Sequence, residues 1–449
     1  MKTTEELARF VVTTRWGDIP GDVVEVSKRS ILDCIGVMLV GARDTIGHIM
    51  RGHASDLGGA PQSSVVCGDF KTSTPSAAFA NGTMAHALDY DDFSYNGHPT
   101  ASMLPAVLAI GEWLNLSGRT SLEALIVGYE VYGKMGAASG ELYSSGWHPT
   151  AVFGTMGATA AAAKMLNLDI DKTRIAFGIA ASQTSGLKQN FGTMTKPFHA
   201  GNAGRSGIVS ALLAKQGFTA NQNIIEDPAG FAAVFLSNPD LVKMTGNLGN
   251  PYRLVTAGPS IKKYPSCGAN HRPLDAILQL MAEHNISYDD IDSVEVEVSP
   301  LITRIVIYSD PQTGFQGKFS LEYNLAAAIL DGVVGLKTFT DEKAKSPQMR
   351  EALKKARVKV NPEWALDLGS PTPVTVTLRN GTRFTKQVDA PRGSPQVPLI
   401  RDELIAKFED CAEGSLASEE MQKVIELVEN FESLDNLEEL MGYLRTAPM

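Results

Sequence analysis

Aromatic residues are scarce in this chain, at 7% of 449 residues, while alanine and glycine are plentiful. A sandwich of sheets builds its core from large flat side chains, so this balance favours closely packed helices. Positive charge is also short. Forty Lys and Arg stand against fifty Asp and Glu, a net charge of -10, which leaves no basic stripe for phosphates and excludes nucleic acid as an expected partner. Cysteine is rare, and Cys34, Cys67, Cys267 and Cys411 show no C-x-x-C spacing, which argues against a metal knuckle and fits a reducing cytoplasm. Long apolar runs are missing too. The longest uncharged stretch, about 149 to 163, is too short and small-sided to span a bilayer. The N-terminal MKTTEELARFVVTTRW is amphipathic and carries acids, unlike a signal or transit peptide. These absences describe a soluble cytoplasmic protein, with 43% apolar residues for a sizeable core.

What is present centres on residues 81 to 105, NGTMAHALDYDDFSYNGHPTASMLP. Asp89, Asp91 and Asp92 lie close to His86 and His98, beside Asn-Gly and Gly-His-Pro steps. Pro99, with a preset φ and no N–H, suits the first position of a helix and places His98 at its mouth. Unpaired N–H groups there favour an anion and a neutral imidazole. The alternative is a capping loop with a satisfied histidine.

Apolar residues at three-and-four spacing predict helices over 3 to 15, 22 to 41, 44 to 58, 73 to 87 and 100 to 116, then one capped by Ser121. A second His-Pro-Thr step puts His148 at the start of another helix, rich in small residues. Helices over 169 to 184 and 196 to 217 follow, with no strand before about 250. Alternating Val294, Val296 and Val298 predict a half-buried strand, and VTVTLRNGTRFTKQV a hairpin turning on Asn380-Gly381. Helices near 270 to 284, 322 to 333 and 347 to 357 lie around them. The expected layout is mainly α: helical residues 1–259, an inserted α+β lid at 260–392, and C-terminal helices 393–449 completing the helical domain. The acidic run in that last segment reads as a solvated face.

Three further segments concentrate unusual chemistry. In SGLKQNFGTMTKPFHAGNAGRSG, the cations Lys188, Lys196, His199 and Arg205 gather at a helix start, where the dipole opposes them. The placement fits an anion cradle, with a lysine paired to a core aspartate as the alternative. In SIKKYPSCGANHRP, Lys262, Lys263, His271 and Arg272 add charge beside Cys267, which is either a nucleophile or a packing thiol. Tyr323, near the start of KFSLEYNLAAAILDG, either donates a proton or packs. His48, His53 and His284 sit in ordinary helix and read as bystanders.

ALDYDD with GHPT, GWHPT with GATAAAA, NFGTMTKPFHAGNAGRSG, KKYPSCGANHRP and KFSLEYNLAAAILDG run in one order across nearly the whole chain. Together they resemble the MmgE/PrpD family. The resemblance implies a helical domain with a smaller α+β lid, a homodimer with its site between domains, and reactions on small di- and tricarboxylates without metal or organic cofactor. Carried over residue by residue, it puts the catalytic aspartate and histidine on Asp89 and His98, a second histidine on His148, lysines on Lys196 and Lys262 and a tyrosine on Tyr323. The charge clusters read above add His199, Arg205, Lys263, Cys267 and His271 as substrate-binding candidates beside Lys196 and Lys262. One departure is Cys267, which stands where the decarboxylase and dehydratase branches carry a histidine. The wording of NFGTMTKP and PSC-x-ANH-x-PL is more similar to the iminodisuccinate epimerase branch.

These readings converge on a lyase of dehydratase or decarboxylase type. It would act by proton transfer at a carbon next to a carboxylate, using fixed cations and a base of suitable pKa. Lys196, Arg205 and Lys262 would clamp carboxylates, His148 or His98 would exchange the proton, and Asp89 would orient a histidine. Three alternatives remain: an epimerase or isomerase of a dicarboxylate, a non-catalytic carboxylate-binding protein, and a metal-dependent enzyme using Asp89, Asp91 and Asp92.

Overall fold

The computed structural model describes residues 2–95, 97–139 and 146–446. The chain divides into two compact units, Met1–Ile261 with Ile400–Met449, and Lys262–Leu399. The larger unit runs slightly past the expected boundary at 259 because Ser260 exchanges backbone hydrogen bonds with Phe93 (3.0 and 2.9 Å). The smaller one runs past 392 through a turn closed between Ser394 and Val397.

The larger unit is helical. Its first nine helices are α1 (Thr3–Thr13), α2 (Gly21–Arg43), α3 (Thr45–Leu57), α4 (Thr74–Ala85), α5 (Pro99–Trp113), α6 (Gly118–Ala138), α7 (Pro149–Met165), α8 (Ile170–Gln183) and α9 (Thr195–Lys215). In α7 every residue but Lys164 is buried, so this helix is the unit's centre and packs on α6, α8 and α9. Small residues make that possible. Where α4 crosses α9, a Cβ added at Gly82 would lie 2.8 Å from the Gly201 Cα, so the two backbones touch. That crossing brings the start of α9 to the loop leaving α4.

Two local expectations need correction. The cap of α6 is Ser117, which accepts from the Thr120 N–H (3.2 Å), whereas Ser121 lies buried inside the helix. Before residue 250 there is also a two-residue strand pair, Ser63–Ser64 with Lys71–Thr72, too short to leave a periodic signal. Three helices, Arg401–Ala412, Ser418–Glu429 and Glu438–Thr446, complete the unit.

The smaller unit is an α+β fold around one four-stranded sheet. Its strands lie in the order Ala356–Val360, Ile291–Val298, Val374–Leu378, Arg383–Lys386. Val294, Val296 and Val298 all face the core, as the alternation required. The central strand pairs in parallel with Ala356–Val360 and antiparallel with Val374–Leu378. Ala356 and Arg357 were expected at the end of a helix and the three residues after them in no element, but only the first residue of the strand is buried, so as an edge strand it carries weak alternation. The hairpin closes through a longer turn than two residues. The Leu378 N–H donates to the Thr382 carbonyl, and only Gly381 has positive φ (86°). Helices His271–Glu283, Leu321–Asp331 and Pro347–Leu353 complete this unit's packing.

Candidate active site

Two histidines end up at helix mouths without capping them. His98 precedes Pro99 of α5 and His148 precedes Pro149 of α7, and neither imidazole accepts from a backbone N–H of its own helix. The rings are therefore left for other partners. The two starts are tied together by the His98 backbone N–H, which donates to Thr150 Oγ1 at 2.9 Å.

Asp91 is the hub. Its carboxylate lies 2.8 Å from His86 Nδ1 and 3.1 Å from His98 Nδ1, so one acid spans two imidazoles. The His98 Nδ1 also approaches the Asp92 carbonyl oxygen at 3.0 Å. A carboxylate and a carbonyl can only accept, so each ring carries a proton on Nδ1, and His98 Nε2 is the nitrogen that takes up or gives the second proton. That Nε2 is 3.6 Å from Asp89 Oδ1, the same oxygen that Lys196 Nζ meets at 2.5 Å. The His86 and His98 ring centres are 4.0 Å apart, and each lies just over 6 Å from His148. Asp89 holds φ at 52°, a left-handed conformation uncommon outside glycine, which turns the acid segment back toward the cluster.

His148 is engaged at both nitrogens, by Thr150 Oγ1 at Nε2 (2.8 Å) and by His199 Nδ1 at Nδ1 (3.0 Å). The segment before α9 closes over this pair. The His148 N–H donates to the Gly186 carbonyl, and Gly186, at φ 112°, leaves room that a Cβ would take from Ala151. Phe191 packs edge-on against His148 at 4.8 Å and lies under the Lys196 ammonium at 5.4 Å.

Every member of the cluster is buried, from His148 at 0% to His98 at 8% exposed. Burial pushes the His86 imidazole down to about 3 despite the pull of Asp91, and His199 down to about 4 with help from Lys196. His148 is pushed well below its ordinary value by burial, then by Lys196 and its fellow imidazoles. Burial works against charge on Asp91, yet the His86 and His98 rings beside it hold its carboxyl well below the usual range. Asp92 goes the other way. Burial raises it to about 8 over the opposing hydrogen bonds from Thr100, with Asp33 and Asp91 adding to the rise. At neutral pH the site thus holds an ionised Asp91 and a protonated Asp92 side by side.

Donor atoms of His86, His98 and His148, and of His86, Asp89, Asp91 and His98, lie within 4.8 Å of one another, close enough to share a cation. Asp92, counted among possible ligands from the sequence, is instead bound by the Thr100 N–H and hydroxyl.

The MmgE/PrpD N-terminal domain description matches residues 5–243 and the MmgE/PrpD C-terminal domain description residues 264–433. The chain belongs to the MmgE/PrpD family. Among this family member's relatives, the cis-aconitate decarboxylases of Mus musculus and Homo sapiens are each 30% identical to it. The alignments cover 98% of this chain and 93% and 94% of theirs. The cis-aconitate decarboxylase of Aspergillus terreus is 28% identical over 98% of this chain and 95% of its own.

Of the residues this MmgE/PrpD sequence singled out, Asp89, His98, His148, Lys196 and His199 stand together. Arg205 does not join them. It is exposed, with its guanidinium 5.9 Å from the Phe79 ring, because nine residues along a helix turn it to the face opposite Lys196. The anion cradle expected at the start of α9 is already met by protein, since Lys196 is paired with Asp89.

Within the second unit, Lys262 and His271 are buried, and the His271 Nε2 lies 3.3 Å from the Ser266 carbonyl oxygen. Lys263 is half exposed, 3.9 Å from Asp275. Cys267 is partly exposed, and its N–H donates to the Lys318 carbonyl. Tyr323 is fully buried in that unit's core, and its hydroxyl donates to the Thr338 carbonyl at 2.6 Å, so its proton serves packing. The sequence reading set His86 and Asp91 beside His98 but gave His86 no role and Asp91 only that of a possible metal ligand, and it missed Thr150. The Asp-x-Asp-Asp run and the repeated His-Pro-Thr were the available signals.

Proposed function

We propose that this chain is a cofactor-independent lyase that removes CO2 from a small tricarboxylate, with cis-aconitate as the first substrate to test, and that His98 transfers the proton. The observation that carries the proposal is the single carboxylate of Asp91 bridging His86 and His98. With the Asp92 carbonyl it fixes the proton on His98 Nδ1 and turns Nε2 toward the Asp89–Lys196 pair. His148, occupied at both nitrogens, is the weaker base and serves to hold the cluster.

The chemistry asks for little more. When the carboxylate on the methylene arm of cis-aconitate leaves as CO2, its electron pair forms a new C=C bond. The former alkene pair moves to the far carbon, next to a retained carboxylate, and that carbon takes up one proton. His98 gives that proton as an imidazolium, after its Nε2 has taken one up from solvent, and a positioned acid of this kind is worth roughly 10²- to 10⁴-fold. Lys196 offers the cation for a retained carboxylate, in exchange for Asp89. Within the cluster Asp89 faces Lys196, and Asp91 accepts from His86 and lies 3.1 Å from His98 Nδ1. Lys263, Cys267 and His271 enter as substrate-binding candidates through their place in the SIKKYPSCGANHRP segment, and Lys262 and a homodimer through the family resemblance.

The experiment is incubation with cis-aconitate and a panel of di- and tricarboxylates, following CO2 release and products by NMR. CO2 and a rearranged alkene from cis-aconitate support the proposal. A panel in which one dicarboxylate inverts its stereochemistry and none releases CO2 replaces it with an epimerase.

A further inference from the structure

Beneath the imidazole cluster lies a second buried ion pair that the proposed chemistry does not use. Lys407, on the C-terminal helix Arg401–Ala412, places Nζ 2.5 Å from Asp33 Oδ1 on α2. The same ammonium donates to the Tyr90 backbone carbonyl at 2.8 Å and sits 3.9 Å from the Tyr90 ring centre. Asp33 is 2% and Lys407 7% exposed. Burying such a pair costs desolvation, and apolar groups of the same volume would often hold two helices as well. Apolar contact is already present here: a Cβ at Gly36 of α2 would meet Phe408 and Cys411 at 3.3–3.4 Å, so these helices are docked without the charges.

What the ion pair adds is a grip on Tyr90. That residue stands between Asp89, in its left-handed conformation, and Asp91, the acid spanning two imidazoles. A backbone held in a sparsely populated region persists only when its surroundings determine it. Turning the peptide after Tyr90 would carry the Asp91 carboxylate off His86 and His98, and with it the Asp89 carboxylate off Lys196. Asp33 also faces Asp92, contributing to that neighbour's raised carboxyl.

We propose that Lys407, paired with Asp33, is a positioning residue that presents Asp89 and Asp91 to the imidazole cluster through its own hydrogen bond to the Tyr90 carbonyl. The proposal rests on the reading that this cluster is the catalytic centre. It also gives the segment after residue 400 a direct bearing on the acid loop more than three hundred residues earlier.

The test compares Asp33→Asn with the double variant Asp33→Asn/Lys407→Met in the full chain. The single variant leaves a buried ammonium without its carboxylate but keeps the donor to Tyr90. The double variant removes both charges and the donor. A purely structural role makes the double variant the more stable and the more active of the two. The positioning role separates those properties: the double variant melts higher than the single, yet its kcat on cis-aconitate falls about 10- to 100-fold below it, with KM changed less than about threefold. The 15N resonances of the His86 and His98 rings, read without substrate, keep this proposal distinct from the function reading. They shift in the double variant and hold near wild type in Asp33→Asn. Ring resonances unmoved in the double variant overturn the positioning role, even in an active decarboxylase. A wild type silent toward cis-aconitate, with resonances that shift as stated, defeats the function reading alone.

Discussion

Lys196 and Asp89 form a buried ion pair at 2.5 Å, joining the first turn of α9 to the loop that leaves α4, each side chain only 5% exposed. Removing one partner leaves a charge uncompensated inside the protein. Lys196→Met and Asp89→Asn should each lower unfolding stability by about 3–5 kcal/mol, and the double variant should regain most of it. Activity should stay low in all three, because the substrate's cation or its acid partner is gone. Denaturant melts and steady-state kinetics check both halves.

His98 should be the costliest imidazole to lose. His98→Asn keeps a donor toward Asp91 but has no basic nitrogen, so kcat should fall by roughly 10²- to 10⁴-fold while the melting temperature changes little. His148→Asn should lower stability more than His98→Asn does, since both its nitrogens hold the fold. Equal kcat losses in the two variants would return His148 to the role of base.

The pH dependence of stability has a definite sign. His86 and His199 are lowered from 6.5 to about 3 and about 4, so both stay neutral in the fold while the unfolded chain takes up protons. Their contribution is complete above about pH 6.5 and is lost as pH falls toward 4 and 3. Asp92 is raised from 3.8 to about 8, so its contribution is complete below 3.8 and is lost as pH rises toward 8. Melting temperature should therefore fall on the acid side of about pH 6.5. His86→Asn should make that acid slope shallower, and Asp92→Asn should remove the decline between pH 6.5 and 8.

Much of the site was legible because its residue types are costly elsewhere. Histidines before Pro-Thr steps and a lysine at a helix N-terminus are poor capping choices, and they marked His98, His148 and Lys196 correctly as belonging together. Periodicity located the long helices for the same reason: one face or all faces must be apolar. It could not say that Asp91, rather than Asp89, would take two imidazoles, since that depends on the left-handed turn at Asp89. Nor could spacing within one segment reveal Lys407, whose partner Asp33 lies at the other end of the chain. Arg205 misled because charge was counted without following the helix through its turns.

The histidine and carboxylate donors lie close enough to hold a metal, and the proposed chemistry does without one. Dialysis against EDTA should leave kcat unchanged, and elemental analysis of active protein should find less than one metal ion per chain. Loss of activity restored by a divalent ion would place the cation at His86, His98 and their acids.

The central claim is that a proton reaches the carbon next to a retained carboxylate as CO2 departs, and deuterium reports that event directly. With cis-aconitate in D2O, the wild-type protein should release one CO2 per turnover and leave one deuterium on that carbon of the product. Recovered substrate should stay unlabelled. Deuterium appearing in recovered substrate, with no CO2 and no new alkene, would contradict the account.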